Sequence, residues 1–96
     1  DWAPPGGESH RRLGARVRSA CDDLLDEAAI RDIVVVTHVS PIKAALAWAL
    51  GVGDEVAWRC FVATAAVMTI GTGRAGPSLR GFNDTSHLGG PEELGR

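Results

Sequence analysis

Ile33-Val34-Val35-Val36-Thr37-His38-Val39-Ser40-Pro41 is the stretch on which the fold turns. Its first five residues are all β-branched, with no polar alternation. That is the pattern of a strand covered on both faces, hence a central strand of a parallel sheet. Ser40-Pro41 then predicts an N-cap followed by a proline at the first helical position, where the missing N–H costs nothing. The helix is expected to reach about Leu50 and to close on Gly51 and Gly53. A covered strand running directly into a helix is the repeating unit of α/β folds, and His38 and Val39 stand at the joint.

Upstream, Asp1 to Gly7 holds two prolines and two glycines and reads as a loop that delivers Glu8 to a helix start. Ser9 is the expected N-cap. Beyond it Leu13, Val17, Ala20, Cys21, Leu24, Leu25 and Ala28 recur at spacings of three and four, the signature of an amphipathic helix. Downstream, Asp54 is expected to cap a short helix through Trp58. Val67 to Ile70 should form a strand, Gly71 to Pro77 a turn, and Ser78 to Phe82 a last strand. Residues 89–96 read as a flexible tail.

Ninety-six residues allow one domain and one core. With 45% hydrophobic and 23% charged residues of both signs, the chain has a globular composition, not a disordered one. A formal charge of −2, with Arg11, Arg12, Arg16 and Arg18 set amid carboxylates such as Asp22, Asp23, Asp26 and Glu27, argues against a nucleic-acid partner. The arginines read as a solvated helix face. The nearly apolar run from Ala44 to Val52 is too short to span a bilayer, so no membrane partner is expected. Cys21 and Cys60 lack any metal-ligand or redox spacing and are expected to be buried free thiols, which fits a reducing, cytoplasmic setting. No metal or cofactor is predicted. Trp48 and Trp58 are expected in or beside the core, and Lys43 as a solvated helix lysine.

These elements leave the sheet incomplete, because a doubly covered strand needs neighbours on both edges and few strands remain to supply them. Either a second copy of the chain completes it, as a homodimer, or an N-terminal half absent from these residues does. An opening loop without a methionine favours the second.

The mouth of a parallel strand, beside the next helix start, is where open α/β sheets bind ligands. His38 lies there, with Thr37 and Ser40 adding hydroxyls and the helix N-terminus adding N–H groups that suit phosphate or carboxylate. On position alone, a histidine satisfying a buried strand end is an equal alternative. Glu8 follows Gly6-Gly7, where little side-chain bulk stands between it and a substrate; it also fits as an ordinary first-turn glutamate. Together the two offer a phosphate-binding group and an acid able to protonate a leaving oxygen.

Pro4-Pro5-Gly6-Gly7-Glu8-Ser9, a helix, and then Val34-Val35-Val36-Thr37-His38 ahead of another helix resemble the C-terminal half of the histidine phosphatase superfamily (phosphoglycerate mutase-like). Thr37-His38-Val39-Ser40-Pro41-Ile42-Lys43 and Phe82-Asn83-Asp84-Thr85-Ser86-His87-Leu88 look most like actinobacterial acid phosphatase-type members. The resemblance implies that residues 1–96 are the C-terminal portion of one domain, part of a three-layer α/β/α sandwich with a mostly parallel sheet. It also implies hydrolysis of a phosphorylated small molecule through a phosphohistidine, formed on a nucleophilic histidine in an Arg-His-Gly motif. Glu8 matches the proton donor and His38 the second histidine, which binds the phosphoryl oxygens. Val39, through its N–H, and Ser40 are the expected substrate contacts. Many members have glycine where Val39 stands, so close backbone approach at that point is a departure from the pattern.

Neither His10 nor His87 lies in an Arg-His-Gly context, so this chain alone is expected to be inactive. His10 reads as a helix-surface residue and His87 as a structural hydrogen-bonding group. Two alternatives stand beside the hydrolase: a mutase that returns the phosphoryl group to a second hydroxyl, and a non-catalytic α/β interaction module.

Overall fold

The protein is described by a computed structural model over residues 9–88. Its elements run α1 (His10–Ala28), α2 (Val39–Leu50), a 3₁₀ turn at Asp54–Trp58, β1 (Val67–Gly73), β2 (Gly76–Asp84) and a 3₁₀ turn at Ser86–Leu88.

α1 begins as its sequence demands: Ser9 is the N-cap, and its Oγ accepts the Arg12 N–H at 3.2 Å. The apolar stripe of α1 turns inward against α2, where Val17, Leu46 and Ala47 form the buried seam. Leu46 is only 3% exposed, a burial that contributes roughly 2 kcal/mol. At the seam's edge Gly14 is buried, and a Cβ there would stand 2.6 Å from the Asp54 carboxylate. That carboxylate is held by Arg18 in an ion pair that ties α1 to the 3₁₀ turn. The Trp48 indole N–H donates to Asp22 at 2.8 Å and adds a second polar tie between the helices.

α2 differs from expectation at its start. The N-cap is His38 and not Ser40, and Pro41 becomes the third helical residue instead of the first. Both registers leave the proline N–H unneeded, because the first turn of a helix has no internal acceptors, so the proline alone could not choose between them. The end follows the pattern: Gly51 takes the left-handed conformation at φ 68°, and its N–H returns to the Ala47 and Trp48 carbonyls. Asp54 does not cap the next turn either. Gly53 occupies that position, and the Asp54 side chain is committed to Arg18.

β1 and β2 pair antiparallel as a hairpin, with both strands longer than expected and the turn narrowed to Arg74-Ala75. Gly76, at φ 101°, supplies the turn's positive φ without a Cβ penalty. Register shifts interrupt the ladder. Between the pairs Val67↔Asp84 and Thr69↔Gly81, the single residue Met68 faces both Phe82 and Asn83, a bulge on β2.

The largest correction concerns residues 33–37. They form no strand: residues 32–38 lie outside every helix and sheet, and the described residues contain one two-stranded antiparallel sheet. The mostly parallel three-layer sandwich is therefore not formed among them; the architecture is mixed α/β, with α2 packed between α1 and the β2 strand of the hairpin. A strand exists only where a neighbour offers matching N–H and C=O groups, and none of the described residues pairs with this segment to do so. Val34, Val35 and Val36 are accordingly 88%, 62% and 93% exposed.

Three smaller expectations also change. Trp58 is 74% exposed and tilted against the His10 ring, with centroids 5.0 Å apart. Cys21 and Cys60 are free thiols but only half-buried. Lys43 is half-buried instead of a fully solvated helix lysine, and its Nζ donates to the Ala57 carbonyl at 3.0 Å. Among the described residues no helix is long and apolar enough to cross a membrane.

Candidate functional site

His38 is where the extended segment turns into α2, with φ −121° and ψ 173° at the N-cap, and it makes no side-chain capping bond. Its carbonyl accepts the Ile42 N–H at 3.1 Å, which closes the first helical turn. Val39 and Ser40 follow as the first two helical residues. Their N–H groups have no intrahelical acceptor by construction, and they point out of the positive end of the helix dipole.

These residues border an open hollow of about 470 Å³. Thr37, His38, Val39, Ser40 and Ile42 line one side of it, and residues 62–66 line the other. An imidazole, two hydroxyls and a helix N-terminus thus share one concavity, an arrangement that can receive a tetrahedral anion. With His38 as the cap, the first two helical N–H groups belong to Val39 and Ser40, and the third position, Pro41, has none. Of the expected site residues, His38, Val39 and Ser40 are brought together. Glu8 lies outside the described residues, immediately before the α1 cap at Ser9.

The far wall is the part that sequence patterning missed. Residues 61–66 lie between the 3₁₀ turn and β1, with Val62 buried and Ala65 in the left-handed region at φ 60°. Asn83 anchors this segment: its Oδ1 accepts the Ala63 N–H at 2.7 Å. Asn83 itself has φ 55° and sits in the β2 bulge. The one signal available beforehand was an asparagine directly before Asp84, a residue type that tolerates the left-handed region.

Two ionisable groups outside the hollow are shifted by their surroundings. The Asp84 carboxylate accepts the Ser86 N–H at 2.9 Å, and that hydrogen bond, ahead of the nearby His87, holds it below its ordinary value. Burial, helped by the Asp22 charge, pushes the Cys21 thiol up. Among the described residues no three His, Cys, Asp or Glu side chains converge as metal ligands.

The sequence profile of the histidine phosphatase superfamily (branch 1) matches residues 1–85. The chain belongs to the histidine phosphatase superfamily. A bifunctional protein of Mycobacterium tuberculosis and an uncharacterized protein of Mycobacterium bovis are each 41% identical to this superfamily member over 56 residues, 58% of its length. The crystal structure of a phosphoserine phosphatase mutant from Entamoeba histolytica, in complex with phosphoserine, superposes with a TM-score of 0.74 at 23% identity over 85% of the chain. That likeness establishes the shared fold. The superfamily chain spans 15% of the length of those curated relatives and 42% of the solved structure.

Proposed function

We propose that this chain is the C-terminal portion of a phosphomonoester hydrolase that works through a phosphohistidine, with the nucleophile supplied by an N-terminal half. The observation that carries this reading is the hollow at the α2 N-terminus, lined by Thr37, His38 and Ser40 and open to the Val39 and Ser40 N–H groups. Membership of the superfamily supports the same chemistry.

In the proposed cycle a histidine nitrogen from the N-terminal half attacks phosphorus. The ester P–O bond breaks, and Glu8 gives its proton to the departing oxygen. Glu8, now a carboxylate, takes a proton from water as that water attacks the phosphohistidine and releases inorganic phosphate. His38 and the α2 N–H groups hold the equatorial oxygens, whose charge they stabilise throughout. His10 and His87 are not candidates for the nucleophile: His10 packs on Trp58 and His87 lies in the last 3₁₀ turn. The exposed Val34–Val36 strip supports the missing half as well, because an apolar segment with unpaired backbone suits a place between two strands.

The test uses the longer polypeptide that carries the N-terminal half. Incubation with a labelled phosphomonoester is expected to leave an acid-labile, base-stable phosphoprotein and to release inorganic phosphate. Glu8→Gln should slow turnover of esters with poor leaving groups far more than those with good ones. Equal losses for both would remove Glu8 from the acid role. Isomerisation without release of phosphate would replace the hydrolase by a mutase.

A further inference from the structure

Resting on the phosphatase reading, we propose that Asn83 is a positioning residue, and that the 62–66 segment it holds is the wall that receives an uncharged organic group of the phosphoester.

The hollow has two unlike sides. On the α2 side stand the polar groups suited to a phosphoryl group. On the other side Val62, Ala63, Ala65 and Ala66 present small apolar surface, and Thr64 contributes the one hydroxyl of the segment. Among the described residues that line the hollow, His38 is the ionisable one. A substrate with its phosphate against α2 would therefore meet, on the 62–66 side, no charged side chain to pair with a second phosphate or carboxylate. Desolvating such a charge there without a partner is costly, whereas an apolar or singly hydroxylated group loses little.

The segment does not hold this shape by regular structure, as residues 61–63 and 66 belong to no helix or strand. Two features fix it. One is the Ala63 N–H bond to Asn83 Oδ1 at 2.7 Å, across 20 positions of sequence. The other is the bulge in β2, which places two residues against Met68 and turns Asn83 into the left-handed region at φ 55°. Bulges of this kind re-aim a side chain, and here the re-aimed amide meets the segment that borders the hollow. Ala65, left-handed without being glycine, adds local strain that the anchor must hold. Asn83 is not among the residues that line the hollow; it acts through Ala63.

The variant Asn83→Gly separates the anchor from the fold, since glycine adopts φ 55° freely but carries no acceptor. In the longer protein with its N-terminal half, Asn83→Gly is expected to raise KM for phenyl phosphate about fivefold, the usual worth of one neutral hydrogen bond. Its kcat should be nearly unchanged, as should KM for methyl phosphate, whose single methyl group offers the wall little surface to contact. Asn83→Asp, which keeps an acceptor oxygen, should restore the parental KM. Equal changes for both substrates, or a failure of Asn83→Asp to rescue, would overturn the proposal and leave Asn83 a purely structural residue. On the chain of residues 1–96, the Ala63 amide should exchange with solvent faster in Asn83→Gly, and an unchanged rate would overturn the anchoring role whatever the activity. If the unsubstituted protein hydrolyses neither ester while Ala63 exchange responds as expected, the phosphatase reading fails and takes the substrate wall with it, while the anchor stands.

Discussion

Val36→Asp should behave as two different mutations in two settings. In this chain Val36 is 93% exposed and residues 32–38 pair with no strand. A carboxylate there stays in water, so the change should move stability by no more than about 0.5 kcal/mol. In the longer polypeptide the proposed N-terminal half brackets the segment with strands. Val34, Val35 and Val36, at 88%, 62% and 93% exposed, then have most of their surface still to bury, which contributes on the order of 3–4 kcal/mol at the low end for valine. The same substitution would remove one valine's share and bury an unpaired carboxylate, a loss of at least about 3 kcal/mol. Urea unfolding of both polypeptides, with and without the substitution, measures the difference directly. Amide exchange adds a residue-level check, as the 34–36 amides should be unprotected here and protected in the longer chain. Equal effects of Val36→Asp in both settings, within about 0.5 kcal/mol, would refute the idea that this segment is a central strand awaiting its neighbours.

Leu46→Ala, in the α1–α2 seam, is expected to cost about 3 kcal/mol and to lower the urea midpoint without changing the slope, since Leu46 is nearly fully enclosed. Because burial raises the Cys21 pKa, its alkylation in a Cys60→Ser background should run slower at pH 8 in the folded chain than in urea; equal rates would show an accessible, unperturbed thiol. The Asp84 carboxyl, held down by the Ser86 N–H, should titrate below its ordinary 3.8 by NMR. The sign follows from linkage: a depressed folded value gives stability that is present above the unfolded pKa and lost as pH falls through the folded one, so Asp84→Asn should flatten the acid limb of the stability curve. An Asp84 midpoint at or above 3.8 would mean that the turn at Ser86 is not formed in solution.

Much of the local structure was legible in advance because its causes are local. The three-and-four spacing from Leu13 to Ala28 and the Ser9 cap specify α1, since amphipathic period and capping chemistry act within a few residues. Gly51 ends α2 for an equally local reason, its positive φ. Residues 33–37 form no strand in this chain for the opposite reason. A β-branched run records what a segment would do between neighbours, and only the neighbours can make it a strand. The start of α2 moved by two residues because both registers spare Pro41 an acceptor, and a short-range rule cannot separate two solutions of equal local cost.

The candidate site divides along the same line. His38, Val39 and Ser40 are contiguous, so one strand-to-helix joint was enough to bring them together, and their residue types already suggested an anion. The sequence by itself thus determined the helices, the hairpin's existence and the chemistry of one side of the hollow, all consequences of interactions spanning a few residues. Tertiary structure alone decided the other side. The Asn83–Ala63 bond joins positions 20 residues apart, and it depends on a bulge that exists only once β1 and β2 have paired. The commitments of Asp54 to Arg18 and of Lys43 to Ala57 were likewise settled by packing, which gives each polar group whichever partner the fold brings within reach.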